Sequence, residues 1–149
     1  MGSEKQPNLL NLQKNIDHIR KSAEKIGLRY PQIISIYLFG SIARGDADEL
    51  SDIDLFILLD GNTTDIFLTL NRDVDYKLLE DWALDVVEGG LSPLILNRNE
   101  LINEFDTFIR RILQEGILLF GENLVPLFNK TTRKQKGSRS ELLDLVRSL

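Results

Sequence analysis

The stretch Gly40-Ser41-Ile42-Ala43-Arg44-Gly45-Asp46-Ala47-Asp48-Glu49-Leu50-Ser51-Asp52-Ile53-Asp54-Leu55 joins two runs suited to buried strands, and the fold turns on how it is read. Ile33-Ile34-Ser35-Ile36-Tyr37-Leu38-Phe39 precedes it. The β-branched and aromatic content of that run predicts a strand buried on both faces, stopped by Gly40-Ser41. Ile53-Asp54-Leu55-Phe56-Ile57-Leu58-Leu59 follows, closed by the turn signal Asp60-Gly61, and predicts a second core strand. The first part of the connection predicts a tight glycine turn entering a short helix. Such a turn presents backbone N–H groups to an anion, Gly40 permits close approach, and the Ser41 hydroxyl can donate to a phosphate oxygen. A Gly-Ser pair alone is a weak signal, since most such pairs are ordinary loops.

Asp52 and Asp54 sharpen it. Residues two apart on a strand point to one side, so both carboxylates aim at one spot. Two like charges that close need a cation. Magnesium suits them, being a hard ion that takes carboxylate oxygens together with substrate phosphates. An isolated Asp-x-Asp is better read as strand-entry or turn residues. Here, however, ten residues separate Ser41 from Asp52, enough for a short helix and a return loop that bring the phosphate turn beside the carboxylates. Asp85 is the third candidate, because it interrupts Ala83-Leu84 and Val86-Val87 in a strand otherwise fit for burial, where an unpaired carboxylate is costly. If that strand neighbours the one carrying Asp52 and Asp54, three carboxylates can hold two metal ions, as used for in-line displacement at phosphorus. The plainer alternative is a surface-facing Asp on an edge strand.

Outward from this centre, Leu9, Leu12, Ile16, Ile19, Ala23 and Ile26 recur at helical spacing, so a helix is predicted from about Asn8 to Ile26 with Gly27 placed to end it. Thr63 or Thr64 can cap a helix carrying Ile66, Leu70, Leu78 and Leu79, and Trp82–Val87 reads as a third short strand. Leu94-Ile95-Leu96 reads as a fourth. Asn97 or Asn99 can cap a helix from about Glu100 to Glu115, with Leu101, Phe105, Phe108, Ile109, Ile112 and Leu113 inward and Gly116 as breaker. Phe120-Gly121 closes the body. The alternation of strands and helices predicts an α/β (α+β) domain, a small mixed β-sheet flanked by helices. The expected division is an N-terminal helix over 1–30, the sheet-bearing domain over 31–121, and a basic linker with a short C-terminal helix over 122–149. In that last helix Leu142, Leu143, Leu145, Val146 and Leu149 form an apolar stripe, expected to pack on a partner or a second copy of the chain.

The chain has 149 residues, 42% hydrophobic and 28% charged, which suits one domain with a real core and excludes two full-sized ones. Six basic residues against three acids give residues 122–149 a charge of +3, leaving −8 for residues 1–121 within the total of −5. An acidic body does not generally attract a polyanion, so nucleic acid is not the expected partner. Cysteine is absent, which excludes a disulfide framework, a thiolate nucleophile and a Cys-type zinc site. No apolar run reaches the roughly 18 residues of a membrane span. A soluble, cytoplasmic protein without membrane contact is expected. His18, the sole histidine, sits on the first helix and is expected to be an ordinary polar position.

Gly-Ser, ten residues, Asp-x-Asp resembles the nucleotidyltransferase superfamily of DNA polymerase beta type. The fuller Gly-Ser-x-Ala-Arg-Gly with Ser-Asp-Ile-Asp-Leu looks most like its small branch, the minimal nucleotidyltransferases. Leu84-Asp85-Val86-Val87 resembles the family's third-carboxylate strand, and Glu115-Gly116-Ile117-Leu118-Leu119-Phe120-Gly121 its closing segment. The resemblance thus covers about Ile33 to Gly121. It implies the nucleotidyltransferase fold and a magnesium-dependent transfer of AMP from ATP to a hydroxyl. Gly40 and Ser41 would hold the nucleotide triphosphate, and Asp52 and Asp54 would ligate two Mg2+ ions. Asp85 would ligate the catalytic metal and help deprotonate the acceptor. Arg44 would touch phosphate, with a salt bridge to Asp46, Asp48 or Asp52 as the equal alternative. Small members of the family often act as antitoxins beside a HEPN-domain protein, so a tyrosine of such a partner is the expected acceptor, within a homo- or hetero-oligomer. A non-catalytic antitoxin acting by occlusion is the competing function; a small-molecule nucleotidyltransferase is disfavoured by the little length left for a second substrate domain.

Overall fold

Ile36, Tyr37 and Leu38 have almost no exposed surface because they lie mid-strand in β1 (Ile33–Phe39), which has a hydrogen-bonded neighbour on each side. The computed structural model describes residues 9–47, 51–61, 90–127 and 138–149. Strand β2 (Asp52–Leu59) runs antiparallel to β1, with Phe39 opposite Asp54 at the last paired position. Strand β3 (Gly90–Asn97) pairs parallel to β2, from Gly90 opposite Asp52 to Asn97 opposite Leu59. Strand β4 (Ile117–Gly121) pairs antiparallel to the other side of β1, so the order is β3-β2-β1-β4. The sheet is mixed and flanked by helices, as expected. Strand β3 is longer than its apolar core Leu94–Leu96 suggests, and it tolerates Pro93 because it lies at the sheet edge among the described residues. The segment closed by Phe120-Gly121 is itself a strand, unforeseen because five residues without alternation carry little signal. Trp82–Val87 and the helix expected after Thr63 or Thr64 lie outside the described residues, as does most of the basic linker.

Alternation along β1 and β2 sorts the side chains into two cores. On one face Ile36, Leu38, Ile53, Leu55, Ile57 and Leu59 pack with Ile19, Ala23 and Ile26 of helix α1 (Leu9–Arg29) and with Ile42 of helix α2 (Gly40–Arg44). On the other, Tyr37, Phe56 and Leu58 pack under one continuous helical run: α3 (Arg98–Glu104), a π-helical turn (Phe105–Ile109) and α4 (Arg110–Glu115). A capping box starts this run: the Asn97 side chain accepts from the Glu100 N–H at 2.8 Å, and the Glu100 side chain accepts from the Asn97 N–H at 3.0 Å. Gly116 ends it, as expected.

Helix α1 departs from expectation by running through Gly27 to Arg29. Gly27 is there for packing. A Cβ on it would lie 2.2 Å from the Phe120 ring, so glycine lets α1 close onto β4. The C-terminal helix α5 (Ser138–Arg147) also departs from expectation. Its stripe is covered by the protein's own second core, where Leu142 and Val146 are buried beside Leu101 and Ile102. Arg98 fastens its end, with Nε donating to the Val146 carbonyl at 3.1 Å and the other guanidinium nitrogens reaching the Leu149 carbonyl and Asp60. Beyond β4 the chain is tied by Tyr37, whose buried hydroxyl accepts from the Leu124 N–H at 2.8 Å and donates to Asn123 Oδ1 at 3.2 Å.

Two stability predictions follow from these contacts. Asn97→Ala should lower stability by about 1 kcal/mol in a urea titration, the usual loss for an N-cap. Gly27→Ala should lower the melting temperature although alanine is the better helix former, since overpacking commonly costs about 1–3 kcal/mol against a propensity gain of about 1 kcal/mol. Adding Phe120→Leu should recover part of that loss; a Gly27→Ala protein that melts higher than the parent would show the contact to be soft.

Candidate active site

The site forms where β1 ends. The chain leaves Phe39 directly into α2, and Gly40 takes φ +77°, a left-handed conformation that a side chain disfavours. Because Phe39 pairs with Asp54, this turn lies against the β2 carboxylate. A Cβ on Gly40 would sit 2.1 Å from Asp54 Oδ2. The room freed by Gly40 is therefore taken by Asp54.

Asp52, Asp54, Phe56 and Leu58 alternate onto the sheet face that carries the α3–α4 run. Phe56 and Leu58 are fully buried in the core; Asp54 is half-buried at its rim and Asp52 is exposed at the strand start. Burial first, then the neighbouring charge of Asp52, raises the Asp54 carboxyl above its ordinary value, and the charge of Arg44 partly offsets this. Hard oxygen donors in a mutually repelling pair fit a divalent cation, which would relieve both effects. Among the described residues no group of three or more potential metal ligands forms. Asp85, the third expected ligand, lies outside the described residues.

A cleft of about 580 Å³ opens over Asp54, within the range of small-molecule sites. Gly40, Ser41, Arg44 and Asp54 line it on the sheet side. Pro93 and Leu94 of β3 contribute an apolar wall, and Phe108, Arg111, Ile112 and Glu115 descend from the helical run. Four of the six residues expected from the sequence are thus brought to one cleft. Asp52 stands two residues from Asp54 on the same face.

Arg44 realises one of its three expected ion-pair partners, with Nε 3.2 Å from Asp46 Oδ2, and finds one that was not foreseen: its NH1 donates to Glu115 Oε1 at 3.0 Å. Arg111 also reaches Glu115 Oε1, at 3.7 Å. Glu115 and Arg111 were missed because nothing in Arg110-Arg111 shows which arginine faces the cleft. The π turn adds a residue within the helix and shifts the phase of α4 relative to α3. The same turn leaves Phe108 half-buried on the cleft wall instead of fully inside. His18 is exposed on α1, on the opposite side of the sheet, as its reading required.

The family model for the nucleotidyltransferase domain matches residues 17–119. A Methanocaldococcus jannaschii protein provisionally named a protein adenylyltransferase is 32% identical over 88 residues, covering 57% of this chain and 54% of the relative. The chain thus spans about half the length of that curated protein. A provisionally named nucleotidyltransferase from Sulfolobus solfataricus is 19% identical, with a TM-score of 0.41 over 74% of this chain and 84% of that one. A mutant of the toxin–antitoxin pair MntA–HpeT is 20% identical, with a TM-score of 0.49 over 89% of this chain and 98% of that one. The assignment rests on the family model, whose match takes in the glycine turn, both β2 carboxylates and the α3–α4 wall: the chain belongs to the nucleotidyltransferase domain family, a family of transferases.

Proposed function

We propose that the protein is a magnesium-dependent nucleotidyltransferase that moves AMP from ATP onto a hydroxyl of a partner protein and releases pyrophosphate. One observation carries the reading: the Asp54 carboxylate sits in the niche left by Gly40, so the phosphate turn and the metal-type carboxylate share one cleft wall with Ser41. The membership in the family supports the reaction class. The name of the M. jannaschii relative supports a protein acceptor.

In this reading Gly40 and Ser41 cradle the phosphates, and Arg44 adds positive charge beside them. The acceptor oxygen attacks the α-phosphorus. The bond from that phosphorus to the bridging oxygen breaks, and its electron pair leaves with pyrophosphate. The acceptor proton passes to a carboxylate, the role assigned to Asp85. Two Mg2+ ions held by Asp52, Asp54 and Asp85 would supply neutralisation of the triphosphate charge. The proposed acceptor is a tyrosine on a HEPN-type toxin, the protein acting as its antitoxin in the cytoplasm, where ATP and magnesium are plentiful. Adenylylation there would add charge and bulk near the partner's active site.

Asp54→Asn should reduce transfer by roughly a hundredfold or more, the usual loss when a charge-stabilising group is removed. It should also raise the melting temperature of the metal-free protein at neutral pH. The folded-state carboxyl is raised, so the fold is most favoured while Asp54 is protonated and loses that preference as pH rises through its folded value. The gain from asparagine should accordingly disappear in acid, and an unchanged melting temperature at pH 7 would contradict the strain. Ser41→Ala should weaken ATP binding in calorimetry while leaving the melting temperature within a degree or two. Mass spectrometry of the co-expressed partner should show AMP increments that vanish with Asp52→Ala. A partner neutralised without any increment would point to occlusion.

A further inference from the structure

Glu115 stands where helix physics does not favour an acid. It is the last residue of α4, where unpaired carbonyls make the helix end negative, and it follows Arg111 at i+4, the weaker order for such a pair. Exposed i, i+4 pairs add little to stability. Its carboxylate is nevertheless shared by two guanidinium groups from opposite walls of the cleft, Arg44 at 3.0 Å and Arg111 at 3.7 Å. The Glu115 side chain is 23% exposed and that of Arg111 73% exposed, so the first is largely enclosed by the cleft and the second reaches into solvent at its mouth.

Resting on the reading above, we propose that Arg44 and Arg111 together bind the pyrophosphoryl part of the substrate, and that Glu115 is the specificity-determining residue that holds their place when the cleft is empty. The three side chains carry a net charge of +1. A carboxylate presents two oxygens to the arginines; a diphosphate unit presents more oxygens and more charge, and guanidinium groups match phosphate well. It therefore displaces Glu115 from the pair. Glu115 then remains nearby as a like charge, which weakens the hold on the departing pyrophosphate. The α-phosphate and the nucleoside lie outside this contact, so AMP does not feel it.

The test is calorimetric titration of the full chain with ATP, AMP and sodium pyrophosphate in magnesium buffer. Arg111→Ala should weaken ATP and pyrophosphate about tenfold, and Glu115→Gln should tighten pyrophosphate by a similar factor, with AMP unchanged in both. Arg110→Ala removes the same charge from the neighbouring position, which is paired with Asp106 at 3.0 Å, and should leave all three affinities within twofold. A purely structural Glu115, one that only props Arg44, predicts the opposite sign: Glu115→Gln would weaken binding. That result, or an Arg111→Ala protein with parental pyrophosphate affinity, overturns the inference while ATP binding by the parent keeps the nucleotidyltransferase reading intact. Parent protein that binds neither ATP nor pyrophosphate overturns both. The expected affinity changes in a protein that transfers nothing to its partner would uphold the arginine pair and remove the proposed acceptor.

Discussion

The pairing of Phe39 with Asp54 constrains everything at the functional end of this molecule. It places a half-buried carboxylate against a backbone turn that must be left-handed and must lack a Cβ. The register that achieves this is fixed by the two cores. Slipping β2 by one residue would carry Asp52 and Asp54 into the face occupied by Ile36, Leu38 and Ile42, and carry Ile53 and Leu55 out of it. No local preference of the glycine turn could enforce that register alone; six apolar side chains on β2 facing α1 and α2, or lying under α3 and α4, enforce it together.

The arrangement is a local loss accepted within a stable frame. Burial and the charge of Asp52 both oppose ionisation of Asp54, and among the described residues the charge of Arg44 favours it. The frame that tolerates this is cross-linked at points remote from the cleft. Tyr37 ties β1 to the segment after β4, the capping box fixes the start of α3, and Arg98 fastens the end of α5 to the body. Polar side chains are spent on tying loops and helix ends, while the sheet faces are nearly all apolar.

The central strands were legible because Ile33–Phe39 and Ile53–Leu59 are long apolar runs bounded by turn residues, and the Gly-Ser and Asp-x-Asp spacing was legible because it brackets one short helix. What stayed hidden depended on partners distant in sequence. Gly27 looks like a helix stop until Phe120 is seen against it. Ile117–Gly121 is too short to declare itself a strand without β1 beside it. A π turn has no signature in Phe105–Ile109, yet it decides that Phe108 and Arg111 face the cleft. Gly40 was read as room for phosphate, and only the register with β2 shows that Asp54 takes that room. The terminal stripe was correctly seen as needing cover; periodicity alone has no way to tell an intramolecular cover from a partner.

That last point bears on how a partner protein would meet the cleft. With Leu142 and Val146 inside the protein's own core, the C-terminal helix cannot offer them as a docking stripe. Among the described residues the exposed large hydrophobic is Leu28, on α1, which packs on the sheet face away from the cleft. The described rim of the cleft is instead charged, with Asp52, Arg44 and Arg111 exposed. Obligate interfaces resemble a domain core cut in half, whereas contacts that form and release are more polar. Under the proposed function, a charged rim of this kind would suit an acceptor side chain that enters, is modified and leaves, and would place the selectivity for that acceptor in electrostatic matching at the cleft mouth instead of in a permanent apolar dock.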